Sequence, residues 1–159
     1  MNATFEQDYI QAAAALDDGP AEVRALREAG LTQFRDVGFP HTKLEPWRFT
    51  DVRAIAQTQF QPASAEPMLD AAPPWWSSLE NAIFLTLRNG RLSPDPRLPD
   101  MLPTGVSLSR AGGTNGTAAG AEDLAVLGSV ANVELSPFTA LNSALVDDAL
   151  ILRVTPNTD

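Results

Sequence analysis

The stretch Ile83-Phe84-Leu85-Thr86-Leu87-Arg88-Asn89-Gly90-Arg91-Leu92 decides the fold class, because its aliphatic residues recur at every second position and then meet a turn. Ile83, Leu85 and Leu87 fall on one side of a strand, with Phe84, Thr86 and Arg88 on the other. Asn89-Gly90 is a pair that tolerates positive φ twice in succession, as a two-residue type I′ turn requires, so a hairpin is predicted here. Upstream of this stretch the period is helical, which makes the chain α+β.

In the first sixty residues Phe5, Tyr9, Ala13 and Leu16 repeat at spacings of four and three, predicting a helix from Thr4 to Leu16. Thr4 and Gln7 have the spacing of a capping box. Gly19 interrupts the pattern, and Pro20 suits the opening of a second helix because its missing N–H would have no partner there. Val23, Leu26, Phe34 and Val37 give that helix its apolar stripe, ended by Gly38 and Pro40. Gly30 in its interior weakens it by about 1 kcal/mol relative to alanine and predicts a bend. From His41 to Thr50 Pro46 favours extended backbone at Glu45. Trp47 and Phe49 then share one face and Arg48 and Thr50 the other, predicting a wedge of buried rings with an ionic clasp. Thr50 is placed to cap a short helix bearing Val52, Ile55 and Ala56.

Three regions follow: a helical N-terminal domain at 1–60, a connector at 61–80 stiffened by Pro62, Pro67, Pro73 and Pro74, and a β-containing region at 81–159. In the last of these, Pro94, Pro96, Pro99 and Pro103 keep the strand returning from Arg91 short. Val106 to Ser109 reads as a further strand, and Gly112, Gly113, Gly116 and Gly120 as a flexible loop. Ser136 caps and Pro137 opens a helix near 137–147 with Phe138, Leu141, Ala144 and Leu145 on one face. A terminal strand near 149–154 either pairs with the Ile83 hairpin or leaves an edge open to self-association.

Composition narrows the chemistry. With 159 residues, 44% of them hydrophobic and 19% charged, the chain has the make-up of a folded domain. Its net charge of −9 argues against nucleic-acid and anionic-membrane partners, which demand clustered cations. No cysteine is present, so thiolate catalysis, disulfides and Cys-ligated clusters are excluded within these residues, and a single histidine builds no multi-His metal site. The acidic start Met1 to Asp8 lacks the features of a secretory signal, and no apolar run approaches the ~20 residues of a membrane span, which predicts a cytoplasmic protein.

Among candidate sites, His41 would act as a general base if Glu45 held it and Thr50 faced it, but a histidine following Gly38-Phe39-Pro40 also reads as an exposed or capping residue. The acidic pairs Asp17-Asp18, Glu122-Asp123 and Asp147-Asp148 lack the spacing of a calcium loop and read as solvated charges. The glycines of 112–120 fit neither a dinucleotide fingerprint nor a P-loop. Trp75 and Trp76 either lock the connector onto a domain surface or contact a partner.

Gly38-Phe39-Pro40-His41-Thr42-Lys43-Leu44-Glu45-Pro46-Trp47-Arg48-Phe49-Thr50-Asp51 resembles the "G-x-P-(S/T)-x-(K/R)-x-E-x-W-(K/R)-(Y/F)-T" signature near the N-terminus of the SufD subunit of the SUF iron–sulfur cluster assembly scaffold, in the SufB/SufD family. Arg88-Asn89-Gly90-Arg91 is similar to the family's "V-N-G-R" turn, and Pro137-Phe138-Thr139-Ala140-Leu141-Asn142-Ser143-Ala144 to its "P-F-x-A-L-N-x-A" helix. The resemblance implies the N-terminal region of a longer protein, whose members continue into a right-handed parallel β-helix and then a helical domain that docks the SUF ATPase. It implies a non-catalytic, partner-facing role in iron–sulfur cluster assembly, with the other SUF scaffold subunit and the ATPase as partners of the full-length family. The ATPase-docking region falls outside the matched part. No catalytic residue, metal ligand or cofactor is carried over. Lys43, Glu45, Trp47, Arg48, Phe49 and Thr50 are expected to be structural, and Trp75 and Trp76 are possible partner contacts. The alternatives are a small enzyme or ligand-binding protein built on His41 and nearby carboxylates, and a free-standing protein-interaction module.

Overall fold

The computed structural model describes residues 3–16, 18–60, 79–80, 82–93, 97–112 and 117–156. The connector reading at 61–80, apart from Leu79 and Glu80, and the tryptophans Trp75 and Trp76 lie outside the described residues. Helices and two small antiparallel sheets make the protein α+β. The chain divides into two compact units, one of Met1–Pro62 with Gly120–Asp147 and one of Ala63–Ala119 with Asp148–Asp159.

The first unit is helical. Its principal helices are α1 (Ala3–Ala14) and α2 (Ala21–Val37), followed by a single 3-10 turn at Glu45–Trp47 and the short α3 (Arg53–Ala56). Thr4 sits within α1 instead of at its cap. Pro20 immediately precedes α2 with an extended backbone (φ −57°, ψ 153°). At the other end Gly38 takes φ +62°, where its N–H still reaches the Phe34 carbonyl at 2.8 Å. That left-handed step, which glycine adopts without a Cβ clash, turns Phe39 back into the core.

The stripe that α2 buries is Val23, Arg27, Gly30 and Phe34, not the expected run through Leu26 and Val37; Val37 is exposed. The physical reason is the partner helix. The chain re-enters the helical unit late, through α5 (Ala121–Leu124) and α6 (Pro137–Ala144), and α6 lies directly on α2. Ser136 caps α6, its hydroxyl accepting the Thr139 N–H at 3.1 Å, and Pro137 occupies the first turn. The buried residues of α6 are the small Ala140, Ser143 and Ala144. A Cβ at Gly30 would stand 2.6 Å from the Ala140 carbonyl oxygen and the Ala144 nitrogen. Gly30 is therefore the notch that admits the α6 backbone, and the helix weakness it causes is the cost of close approach.

This grouping differs from the contiguous division expected of the sequence. The helix near 137–147 ends at Ala144 and packs with the N-terminal helices, because its small-residue face fits only where α2 has no side chain. The core it closes contains Phe34, Phe39, Ala56 and Ala140, flanked by Tyr9, Ile10, Phe138 and Leu141. Phe39 is its hub, meeting Phe34 edge-on at 5.2 Å, Tyr9 at 5.5 Å and Phe138 at 6.1 Å between ring centroids. The Tyr9 hydroxyl donates to the Thr58 carbonyl at 3.0 Å, and burial pushes its pKa up.

Arg27 is the one charged side chain buried among the described residues of this unit. Its Nε donates to the Val146 carbonyl at 2.6 Å, and a second guanidinium nitrogen donates to the Asp18 carbonyl and lies 3.4 Å from the Asp18 carboxylate. It ties the segment after α6 to the link between α1 and α2. A buried guanidinium is tolerated here because backbone oxygens replace its water.

The second unit holds the strands. The predicted hairpin forms as β1 (Leu87–Arg88) and β2 (Arg91–Leu92), with Asn89 at φ 49° and Gly90 at φ 81° as the turn demands. It is shorter than the alternating pattern from Ile83 suggested, because β2 has only two ladder residues and can pair with little more; one further bond runs from the Ser93 N–H to the Thr86 carbonyl at 2.8 Å. After the short α4 (Leu98–Met101), β3 (Val106–Arg110) pairs antiparallel with β4 (Leu150–Val154). The terminal strand thus takes the Val106 strand as its partner and not the Ile83 hairpin. Val106, Leu108, Leu152 and Val154 share one face of this ribbon, whereas Ser107, Ser109, Ile151 and Arg153 share the other. Residues 117–119 return beside β3, where the Arg110 N–H donates to the Thr117 carbonyl at 2.9 Å and Ala119 donates to the Arg110 carbonyl at 2.8 Å.

Arg110 and Asp148 form a two-pronged buried ion pair at the inner end of the ribbon, with Arg110 Nε 3.1 Å from one carboxylate oxygen and a terminal nitrogen on the other. Their side chains are 9% and 2% exposed, so this acid of the Asp147-Asp148 pair is a register-fixing group and not a solvated charge.

Candidate functional site

The segment from Gly38 to Asp51 leaves the core in two stages. Gly38, Phe39 and Pro40 are buried, and His41 to Glu45 are exposed. The backbone then coils through successive tight turns: Leu44 N–H to His41 carbonyl at 2.9 Å, Trp47 to Leu44 at 2.9 Å, Arg48 to Glu45 at 3.3 Å and Thr50 to Trp47 at 3.0 Å. The extended residue is Leu44 (φ −80°, ψ 127°), and Glu45–Trp47 is a 3-10 turn. Pro46 fits inside that turn because it has no N–H to leave unpaired.

Coiling abolishes the alternation expected for an extended strand. Trp47 alone turns inward, half-buried, with its ring 5.3 Å from that of Phe138. Phe49 points outward and is 92% exposed, with the Arg48 guanidinium 5.3 Å above its ring. The expected wedge of two buried rings is therefore one packed ring and one presented ring. The ionic clasp is equally open: Glu45 and Arg48 approach only to 4.0 Å and both side chains are exposed, a type of pair that contributes about 0–1 kcal/mol. Lys43 and Thr50 are exposed as well.

Asp51, not Thr50, supports the start of α3. Its Oδ1 accepts the Arg53 N–H at 2.9 Å and its carboxylate takes Arg53 Nε at 2.8 and 3.0 Å. The hydrogen bonds from Arg53 hold the Asp51 carboxyl below its usual pKa and raise that of Arg53.

His41, Glu45 and Thr50 are not gathered into a reactive cluster. The His41 ring is exposed and its Nδ1 accepts the Lys43 N–H at 3.3 Å, while Glu45 faces Arg48. Among the described residues no group of three or more His, Asp or Glu side chains is placed to hold a metal ion, and no helix is long and apolar enough to cross a membrane. Of the glycine-rich loop, 113–116 lie outside the described residues. What the surface from His41 to Thr50 offers is recognition chemistry: a guanidinium over an exposed ring, on a turn anchored from behind by Trp47 and Phe39. Aromatic and arginine side chains of this kind are enriched at the centres of protein interfaces.

Sequence reasoning missed the burial of Arg27, the packing role of Gly30 and the Arg110–Asp148 pair. For the first two a signal exists, since Val23, Arg27, Gly30 and Phe34 are spaced four, three and four apart. For the ion pair there is none, because its members meet only when β3 and β4 pair.

No protein-family model matches the chain, and no curated protein or solved structure matches it.

Proposed function

We propose that the chain is the N-terminal region of a SufD-like subunit of the SUF iron–sulfur cluster assembly scaffold, acting in the cytoplasm by contact with partners and not by catalysis. The observation that supports this reading most is spatial. The two more specific signature stretches, Gly38 to Asp51 and Pro137 to Ala144, lie far apart in the sequence and meet in one core, where Phe39 and Trp47 both pack on Phe138. Six of the signature positions then have a packing or backbone job: Gly38 the left-handed turn, Trp47 and Phe138 the ring contact, Pro137 the helix start, Ala140 and Ala144 the close approach to Gly30.

In this reading the second unit opens the β-helix-type region, and the other SUF scaffold subunit is the partner of the exposed Arg48–Phe49 surface. The coding sequence after Asp159 tests the family directly. An in-frame run of short apolar strands is the expected result, and a stop codon there with an unrelated neighbouring gene contradicts it. The partner-facing role is tested with Phe49→Ala, which leaves thermal stability within about 0.5 kcal/mol of the parent, as at other exposed sites, and weakens capture of the other scaffold subunit. Unchanged capture refutes that role.

Self-association through β4 belongs to the same proposal. The bonds at Thr155 to Gly105 and Ala111 to Ala149 set which groups face β3, so the N–H and C=O of Leu152 and Val154 aim outward beside exposed side chains. Sedimentation at rising concentration shows dimer if this edge pairs, and a strict monomer throughout rejects it.

A further inference from the structure

We infer that a groove between α1 and α2 binds an amphipathic helix of a partner protein that carries two separated carboxylates on its apolar face. The inference stands on the groove itself and holds whichever scaffold the chain belongs to. The groove has a volume of about 610 Å³, with Ala13 and Leu16 from the α1 side and Ala25 and Leu31 from α2 forming an apolar floor. Arg24 and Arg35 stand on its rim, on the α2 face that also carries Glu28 and Leu31. The spacing 24, 28, 31, 35 is a single helical stripe, so the two guanidinium groups project from points about 16 Å apart along the axis.

These two arginines differ from the others of the helical unit. Arg27, Arg48 and Arg53 each have a carboxylate within 4.0 Å, and Arg27, which also lines the groove, is committed to Asp18 and Val146. Arg24 and Arg35 are exposed and have no ion-pair partner among the described residues, in a chain with 20 acidic residues. Glu28 lies one turn from Arg24 without pairing with it. A net-negative protein has thus kept two cations unneutralised at the ends of a trough lined between them by alanine, leucine and Glu28.

Charge complementarity selects the occupant. A partner helix with carboxylates about three turns apart and leucines between them would meet Arg24 and Arg35 at its ends and the alanine and leucine floor in the middle. Glu28 makes the recognition stricter, because it repels a carboxylate placed between the two. A uniformly acidic segment fits less well than one acidic only at its ends. Small residues on the floor favour a helix over an extended strand, since they let a second backbone lie close.

The test uses the full chain and a fluorescein-labelled, alanine-based helical peptide with Glu, Leu, Leu and Glu at the same relative spacing, read by fluorescence anisotropy. The expected result is saturable binding that weakens about tenfold when both Glu are replaced by Lys, or when the protein carries Arg24→Glu with Arg35→Glu. The doubly reversed protein should in turn prefer the Lys peptide, a rescue that a misfolded variant would not show. With the parent protein alone, raising ionic strength should weaken binding of the Glu peptide. Equal binding of the Glu and Lys peptides, absence of saturable binding, or salt-independent binding overturns the inference. Dimerisation of the parent protein in sedimentation that excess Glu peptide reverses also overturns it, assigning the groove to a second copy of the chain.

Discussion

The two units solve the same problem with different chemistry. The helical unit buries Phe34, Phe39 and Val23 almost completely and lets two helices touch at Gly30. The β unit has Leu98 and Ala111 as its buried apolar residues among those described, and leaves Leu87, Met101, Leu152 and Val154 exposed. Where apolar burial is scarce, a buried arginine–aspartate pair fixes the strands instead. The contrast teaches where each unit is fragile: the first to changes of volume, the second to loss of a charge partner.

The largest expected effect is at the aromatic hub. Phe39→Ala removes the ring that joins Phe34, Tyr9 and Phe138, and should cost the helical unit about 3–5 kcal/mol in chemical denaturation. A loss under about 1 kcal/mol would mean the ring cluster does not hold this unit. Next is Asp148→Ala, which removes the carboxylate that both prongs of the buried Arg110 guanidinium reach, at a cost of about 3 kcal/mol. Replacing both members, with Arg110→Met and Asp148→Leu, should recover most of that loss. If the double replacement is as unstable as the single one, the pairing of these two charges is not what fixes the ribbon. Smaller again is Gly30→Ala, expected to destabilise by about 1–3 kcal/mol although alanine is the better helix former by about 1 kcal/mol. Stabilisation by this change would show that α6 does not press on the α2 backbone.

Much of the local structure is legible in the sequence, and the misses share a cause. Asn89-Gly90, Ser136-Pro137 and Gly38 act through their own backbone, so the hairpin turn, the start of α6 and the end of α2 can be read locally. Gly30 is locally a defect, and its purpose appears only when a helix from the far end of the chain arrives. For the same reason α6 reads as part of the β region by position and joins the helical unit by packing. The surface segment fails differently. Alternation of Trp47, Arg48, Phe49 and Thr50 fits a strand, but in a coiled turn successive residues fan outward, so Phe49 is presented and not buried.

Two distant stretches, Gly38 to Asp51 and Pro137 to Ala144, act as one packed element. A double-mutant cycle on Trp47→Ala and Phe138→Ala, measured by denaturant unfolding of the full chain, tests this most directly. A coupling of about 0.5–1.5 kcal/mol, as found for paired aromatic rings, is the predicted result. Additive losses, within about 0.3 kcal/mol, would contradict it.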